Sequence, residues 1–374
     1  MQSKLLAIAD KGFNSLSHEK LSEPANVKSL MIYGLTGGNP RTVLSLLPLV
    51  PETDPHHGLV DAVSHYVRGE RQRAQKAFEK IDASDFDNDI GASVALAIGS
   101  AKAKEEPEGA ISKLKSAILL APGTLVEEAA LRRLIALYLR SENIVEFIRA
   151  SERYARRFYR SPYANQFADM LVVGTVGFPE QMTDWQIRQV ADSLPPAHRN
   201  AVYLRIARLA AVKGQGDLSA QASSFVDPEA GAMNSAEQLH SDDTAVAENG
   251  ETTELRARLY TGISVLRQSG NSDQLNALRA ANIDRLPAED RKLLSAALAV
   301  ADAISEPIEE LDDDSALSER LNESAGDAGD AGELPENAAA AQAELGALNM
   351  AETLISDIKQ KLDQIDQVIE KESR

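Results

Sequence analysis

The sequence predicts an all-α protein: an irregular, tetratricopeptide-like helical solenoid with one long heptad helix at its C-terminus. Three observations predict it. Apolar residues recur at three-and-four spacing, between caps and Pro/Gly stops, through most of residues 60–304. β-Branched runs are short and fall inside helical periods. Aromatic residues are only 5% of the 374 positions, which suits small Ala- and Leu-filled cores between closely packed helices. A chain of this length suggests two or three domains.

Residues 1–25 carry a weak helical pattern and read as a loosely held N-terminal arm. The stretch TGGNPRTVLSLLPLVPETDPHHG places a short helix, Thr42 to Leu49, between turn signals at Gly37, Gly38 and Pro40. Two helices then meet near Gly69, and Ala74, Ala77, Phe78 and Ile81 mark one apolar face of the second. Residues 89–103 and 107–121 form Ala-rich helices. Pro107 suits a first helical position, and Pro122-Gly123 stops the helix. Thr124 with Glu127 makes a capping box for LVEEAALRRLIALYLR. Helices follow at 143–159, 162–173 (capped by Ser161, with Pro162 at its first position), 184–193, 197–213 and 215–225. Thr183 and Gln186 repeat the capping-box pattern. The stretch Gly69 to Phe78 resembles part of a tetratricopeptide unit, although the strict repeat of about 34 residues is not evident.

These elements compose a repeat-like helical domain over 26–226. An acidic segment without Lys or Arg follows at 227–250 and reads as a flexible insertion. The helical domain continues over 251–304, where Leu255, Leu259, Ile263 and Leu266 mark a face. A second acidic stretch, 305–337, reads as a linker. The last segment, 338–374, repeats Leu348, Ile355, Leu362 and Ile369 every seven residues, interleaved with Ala351, Ile358 and Ile365. In isolation this narrow apolar seam would be wet, so it needs a partner. It either folds back on the body or joins a second copy or another protein.

Composition limits function. A formal charge of −18 and a pI near 4.9 disfavour nucleic acid as a partner. Zero cysteine excludes disulfides, thiolate catalysis and Cys-based metal centres. No apolar run reaches the roughly 18 residues of a membrane span. The N-terminus lacks the apolar core of a secretory signal, so the chain is cytoplasmic or given without its targeting segment. The glycines of TGGNPRT lack the strand, spacing and Lys of a phosphate loop. His57, Asp61 and His65 share a helical face, but one helix rarely closes a metal's coordination sphere. Asp82, Asp85, Asp87 and Asp89 lack the order of a calcium loop. No nucleophile or acid–base pair stands out, so an enzyme, for instance one acting on cell-wall polymer, has little support. No cofactor is expected.

The outstanding local feature is basic. Arg132, Arg133, Arg140, Arg149, Arg153, Arg156, Arg157 and Arg160 are opposed only by Glu142, Glu146 and Glu152. Two readings stand. The arginines pair internally with Glu127, Glu128 or the acidic segments while Tyr154, Phe158 and Tyr159 pack in the core. Alternatively they form a face for an acidic protein surface or anionic polymer.

The string LLAPGTLVEEAALRRLIALY, residues 119–138, and ERYARRFYRSPYANQFADML, residues 152–171, resemble the distinctive segments of the MotC family, in order and at the family's separation. GGNPRTVLSLL and the run from Tyr66 to Ile81 extend the likeness, which covers about residues 26–225 and, more loosely, 250–304. The resemblance implies a non-enzymatic protein of rhizobial-type alphaproteobacteria, exported to the periplasm and required for flagellar rotation. It further implies a link to the periplasmic domain of the stator protein MotB. Carried onto this chain, it points to Pro122, Gly123, Thr124, Glu127, Glu128, Arg132, Arg133, Arg156, Arg157, Ser161, Pro162, Tyr163 and Gln166. The expected protein interface comprises Arg132, Arg133, Arg149, Arg153, Arg156, Arg157 and Tyr163, with Leu348, Ile355, Ile358, Leu362, Ile365 and Ile369 available for self-association. A generic tetratricopeptide-like adaptor in envelope assembly is the alternative.

Overall fold

Helix follows helix along this chain, as its periodicity requires. The computed structural model describes residues 2–229, 250–265, 272–280 and 283–305. Among them are seventeen α-helices and no strand. The predicted heptad segment, with Leu348, Ile355, Ile358, Leu362, Ile365 and Ile369, lies outside the described residues, as do most of both acidic stretches. The described residues fall into two compact units, one ending at Pro195 and the other beginning at Pro196.

In the first unit the helices are α1 (Gln2–Asn14), α2 (His18–Leu21), α3 (Pro24–Leu35), α4 (Pro40–Leu46), α5 (Val60–Val67), α6 (Arg71–Phe78), α7 (Asn88–Lys102), α8 (Pro107–Leu120), α9 (Leu125–Arg140), α10 (Ile144–Phe158), α11 (Ala164–Gly177) and α12 (Asp184–Ala191). The predicted N-terminal arm is tied down through Asp10, which accepts hydrogen bonds from Thr42 (2.6 Å) and Tyr33 (3.1 Å). The Thr42 bond, then Asn39 and Tyr33, hold this carboxyl below its usual range against desolvation. Phe13 packs on Tyr33 with ring centroids 5.1 Å apart. The helix expected over Thr42 to Leu49 becomes α4 and a 3-10 turn, Leu47–Leu49. Pro48 has no N–H for an α-type bond to residue 44, so the last turn tightens.

From α5 to α10 each helix packs on the next, and their short connections make consecutive helices antiparallel neighbours. Gly69 turns the chain between α5 and α6 at φ +71°. The α7–α8 contact is close because Gly99 has no side chain: a Cβ there would lie 2.7 Å from Leu114 Cγ and 3.2 Å from the Ala110 carbonyl oxygen. Lys28 of α3 ties that helix to the start of α7, its Nζ lying 3.1 Å from Asp87 and 2.7 Å from Asp89. α9 touches α7, α8, α10 and α11 and buries most of its circumference.

The second unit contains α13 (Pro196–Val212), α14 (Gly216–Ser224), α15 (Gly250–Val265), α16 (Ser272–Arg279) and α17 (Ala288–Ser305). α15 packs on the other four. Leu259 is buried, while Leu255 and Ile263 of its expected apolar face are half-buried. The buried positions instead include Tyr260 and Gly262, and Gly262 admits Leu278. Ser219 donates to the Ala207 carbonyl at 2.9 Å, linking α14 to α13. Asn200 holds the backbone of Asp227, where the first acidic segment begins, through bonds of 2.6 and 3.1 Å.

Candidate functional site

The arginine-rich region is assembled by α9, α10 and the connection into α11. Pro122 and Gly123 (φ +79°) end α8, and Thr124 caps α9 by accepting from the Glu127 N–H at 3.5 Å. The Glu127 side chain does not complete the expected capping box at Thr124. It accepts instead from the Gly123 N–H and from two arginines of α10. Arg153 presents Nε and Nη2 to Oε1 at 2.6 and 2.5 Å, and Arg157 Nη1 meets Oε2 at 2.9 Å. Glu127 is 0% exposed. Two guanidinium groups, one amide and the positive end of α9 offset the desolvation of its charge.

Glu128, also buried, accepts from Tyr154 Oη at 2.9 Å and from the Ser161 hydroxyl. Burial, and secondarily the charge of Glu128, push the Tyr154 hydroxyl well above the ordinary tyrosine range, so it stays a proton donor. Ser161 was expected to cap α11. The cap position belongs to Tyr163, whose N–H donates to Ser161 Oγ at 3.1 Å, while the Ser161 hydroxyl serves Glu128.

Arg132 and Arg133 depart from the expected contact face. They are 3% and 5% exposed. Arg132 donates to Gln166 Oε1 at 2.9 Å and lies 3.8 Å from the centre of the half-buried Tyr163 ring. Arg133 donates to the Ala129 carbonyl at 3.1 Å. Both brace α9 from within. α9 is central, so most of its faces are interior, and helical position alone did not reveal that.

Arg149, Arg153, Arg156 and Arg157 lie on α10, whereas Arg140 ends α9 and Arg160 follows the end of α10. Ile144, Phe147, Ile148, Ser151, Tyr154 and Ala155 form its inner face. Arg149, Arg153 and Arg156 recur at i, i+4 and i+7 on the other side. Arg149 meets Glu146 at 2.7 Å and Arg156 meets Glu152 at 2.6 Å, yet their side chains are 69% and 61% exposed. Their carboxylate partners are much less exposed, so guanidinium groups dominate what solvent sees. Glu152 also accepts from Gln189 of α12 at 2.8 Å.

A second carboxylate centre went unanticipated. Asp290, in the first turn of α17 and buried, accepts from Tyr260 Oη (2.8 Å), Arg208 Nε (3.1 Å) and Arg256 Nε (2.8 Å). It repeats the chemistry at Glu127 and Glu128: an acid near a helix start, two arginines and a tyrosine hydroxyl. Its sequence signal is faint, an Asp after Pro287 and an Arg four residues before a Tyr.

His57, Asp61 and His65 do not share one helix face in the structure. His57 lies in a 3-10 turn outside α5, while His65 meets Asp61 at 3.3 Å and Glu70 at 2.6 Å. The described residues contain no group of three or more potential ligands placed to hold a metal ion. No helix among them is long and apolar enough to cross a membrane.

Sequence comparison gives a family. The profile described as "Chemotaxis protein MotC" matches residues 1–374. The chemotaxis protein MotC of Rhizobium meliloti (strain 1021) is 30% identical over 307 residues, which is 82% of this chain and 67% of that protein. No solved structure matches the chain.

Proposed function

The chain belongs to the MotC family, and from that membership we propose that it is a non-enzymatic accessory of the flagellar motor. It works in the periplasm and binds the periplasmic domain of the stator protein MotB. Its helical body is a tetratricopeptide-like solenoid, a reading supported by the sequential packing of α5 to α10. The observation that carries the reading is the outer face of α10. Arg149 and Arg156 project from α10, while Arg153 and Arg157, each still partly exposed, and Tyr154 fasten the helix to Glu127 and Glu128 of α9. Such a face offers many outward donors at little reorganisation cost, which suits an acidic protein surface. Preferential binding to one stator conformation would shift its population without any covalent step. The heptad seam of Leu348, Ile355, Ile358, Leu362, Ile365 and Ile369 serves self-association.

The test is calorimetric titration of the full chain with the purified periplasmic domain of MotB. Saturable binding is expected, weakened about tenfold or more by the double substitution Arg149→Glu and Arg156→Glu, with an unchanged thermal midpoint. No binding at tens of micromolar would sink the reading.

A further inference from the structure

The sequence contains a single tryptophan, Trp185. Its surroundings suggest a specific use. Trp185 occupies the second position of α12 and is 70% exposed. A large, flat apolar side chain normally adds core area, and keeping one in water forgoes that gain. Nor is the indole on a loose segment. The capping box fixes its backbone: the Thr183 side chain and the Gln186 backbone pair, and Gln186 Oε1 accepts from the Thr183 N–H at 2.8 Å. Behind it, Ile187, Val190 and Ala191 anchor α12 in the core.

Trp185 also has a defined neighbourhood. Gln189 is four residues later, so the two share a face of α12. Gln189 Nε2 donates to Glu152 Oε2 at 2.8 Å, and Glu152 Oε1 accepts from Arg156 at 2.6 Å. On α10, Val145, Arg149, Glu152 and Arg156 follow at i, i+4, i+7 and i+11 along one stripe. Val145 is exposed. A polar bridge, Gln189 to Glu152, thus joins two outward features: an indole and a pair of guanidinium groups. Tryptophan and arginine are the residues most enriched where binding energy concentrates. Both are here mounted on helices that packing holds still.

We propose that Trp185 is the anchor of a docking surface on α10 and α12, which takes a protein partner presenting an apolar pocket flanked by carboxylates. The indole fills the pocket, and Arg149 and Arg156 meet the carboxylates. The inference rests on the partner reading above and adds to it the residue that should dominate affinity and the chemistry required opposite it.

Because position 185 holds the only tryptophan, indole emission from the full chain reports on this residue directly. The probe is the purified periplasmic domain of MotB, with binding measured independently by calorimetry so that the partner's own fluorescence does not decide the result. Calorimetry is run on the wild type, Trp185→Ala, Trp185→Phe and Arg156→Glu, and on Leu119→Ala as an exposed control on α8. Expected are saturable binding, a blue shift and reduced acrylamide quenching of Trp185, and affinity losses of about tenfold or more in Trp185→Ala and Arg156→Glu. Trp185→Phe should retain part of the affinity and Leu119→Ala all of it, with all thermal midpoints near wild type. Saturable binding with full affinity in Trp185→Ala and unshifted emission would overturn this inference and leave the partner reading standing. Absence of binding by the wild type would overturn both.

Discussion

Two buried carboxylates, one residue apart in the chain, face different chemistry. Glu127 is paired with arginines, whereas Glu128 accepts hydrogen bonds from the Tyr154 and Ser161 hydroxyls. Removing Glu127 leaves a void, strands the Gly123 N–H and releases Arg153 and Arg157 from their common partner. Glu127→Ala should therefore cost about 2–4 kcal/mol in urea unfolding. Glu127→Gln should cost less, because it keeps the shape and one acceptor. Tyr154 gives a pH signature. Its hydroxyl ionises less readily in the fold than in the unfolded chain, owing first to burial and then to Glu128. Below the ordinary tyrosine value of 10.0 both states hold the proton, and stability does not respond to it. Above that value the unfolded chain loses the proton first, so stability falls as pH rises. A thermal-midpoint profile from pH 8 upward should show the decline, and Tyr154→Phe should flatten part of it. Tyr260, raised likewise by burial, supplies another part.

At the scale of helices, what was legible in the sequence was local. The boundaries of α8 and α9 and the capping box at Thr183 follow from residues three or four apart, where spacing alone dictates contact. The partners of the carboxylates were not fixed by such rules. Arg153 and Arg157 reach Glu127 across 26 and 30 positions, and Arg208 reaches Asp290 across 82. Internal pairing of the arginine island was one of two open readings, and Asp290 gave no comparable signal. The outward aim of Trp185 was illegible for another reason: tryptophan is ordinarily a core residue, and only packing shows which side of α12 is covered. Interhelical closeness was hidden too. Gly99 looks like a weak point in an Ala-rich helix, yet it sets the α7–α8 spacing. Gly99→Ala gains helix propensity of about 1 kcal/mol but pushes against Leu114 and the Ala110 carbonyl. A net loss of about 1–2 kcal/mol is expected, measurable as a lower urea midpoint.

For the molecule as a whole, the strongly negative formal charge conceals a locally cationic face on α10, and net charge of that size favours solubility. The C-terminal heptads belong to this scale. If their seam joins two copies, deleting residues 338–374 should halve the mass seen by light scattering and leave the far-ultraviolet helical signal of the body intact. An unchanged mass would remove self-association from the reading.

The closure of Glu127 to solvent has a consequence for ionic conditions. Mobile counter-ions can crowd around Arg149 and Arg156 and around the exposed parts of Arg153 and Arg157, but they cannot reach the Glu127 carboxylate itself. Screening with a Debye length of about 8 Å at physiological strength and about 3 Å at 1 M therefore acts more strongly on Arg149 and Arg156 than on the contacts to the buried Glu127 carboxylate. Raising sodium chloride should erode partner affinity steeply while the unfolding midpoint scarcely moves. Ionic strength becomes a dial that silences the outer face of the helix and leaves its inner attachment engaged.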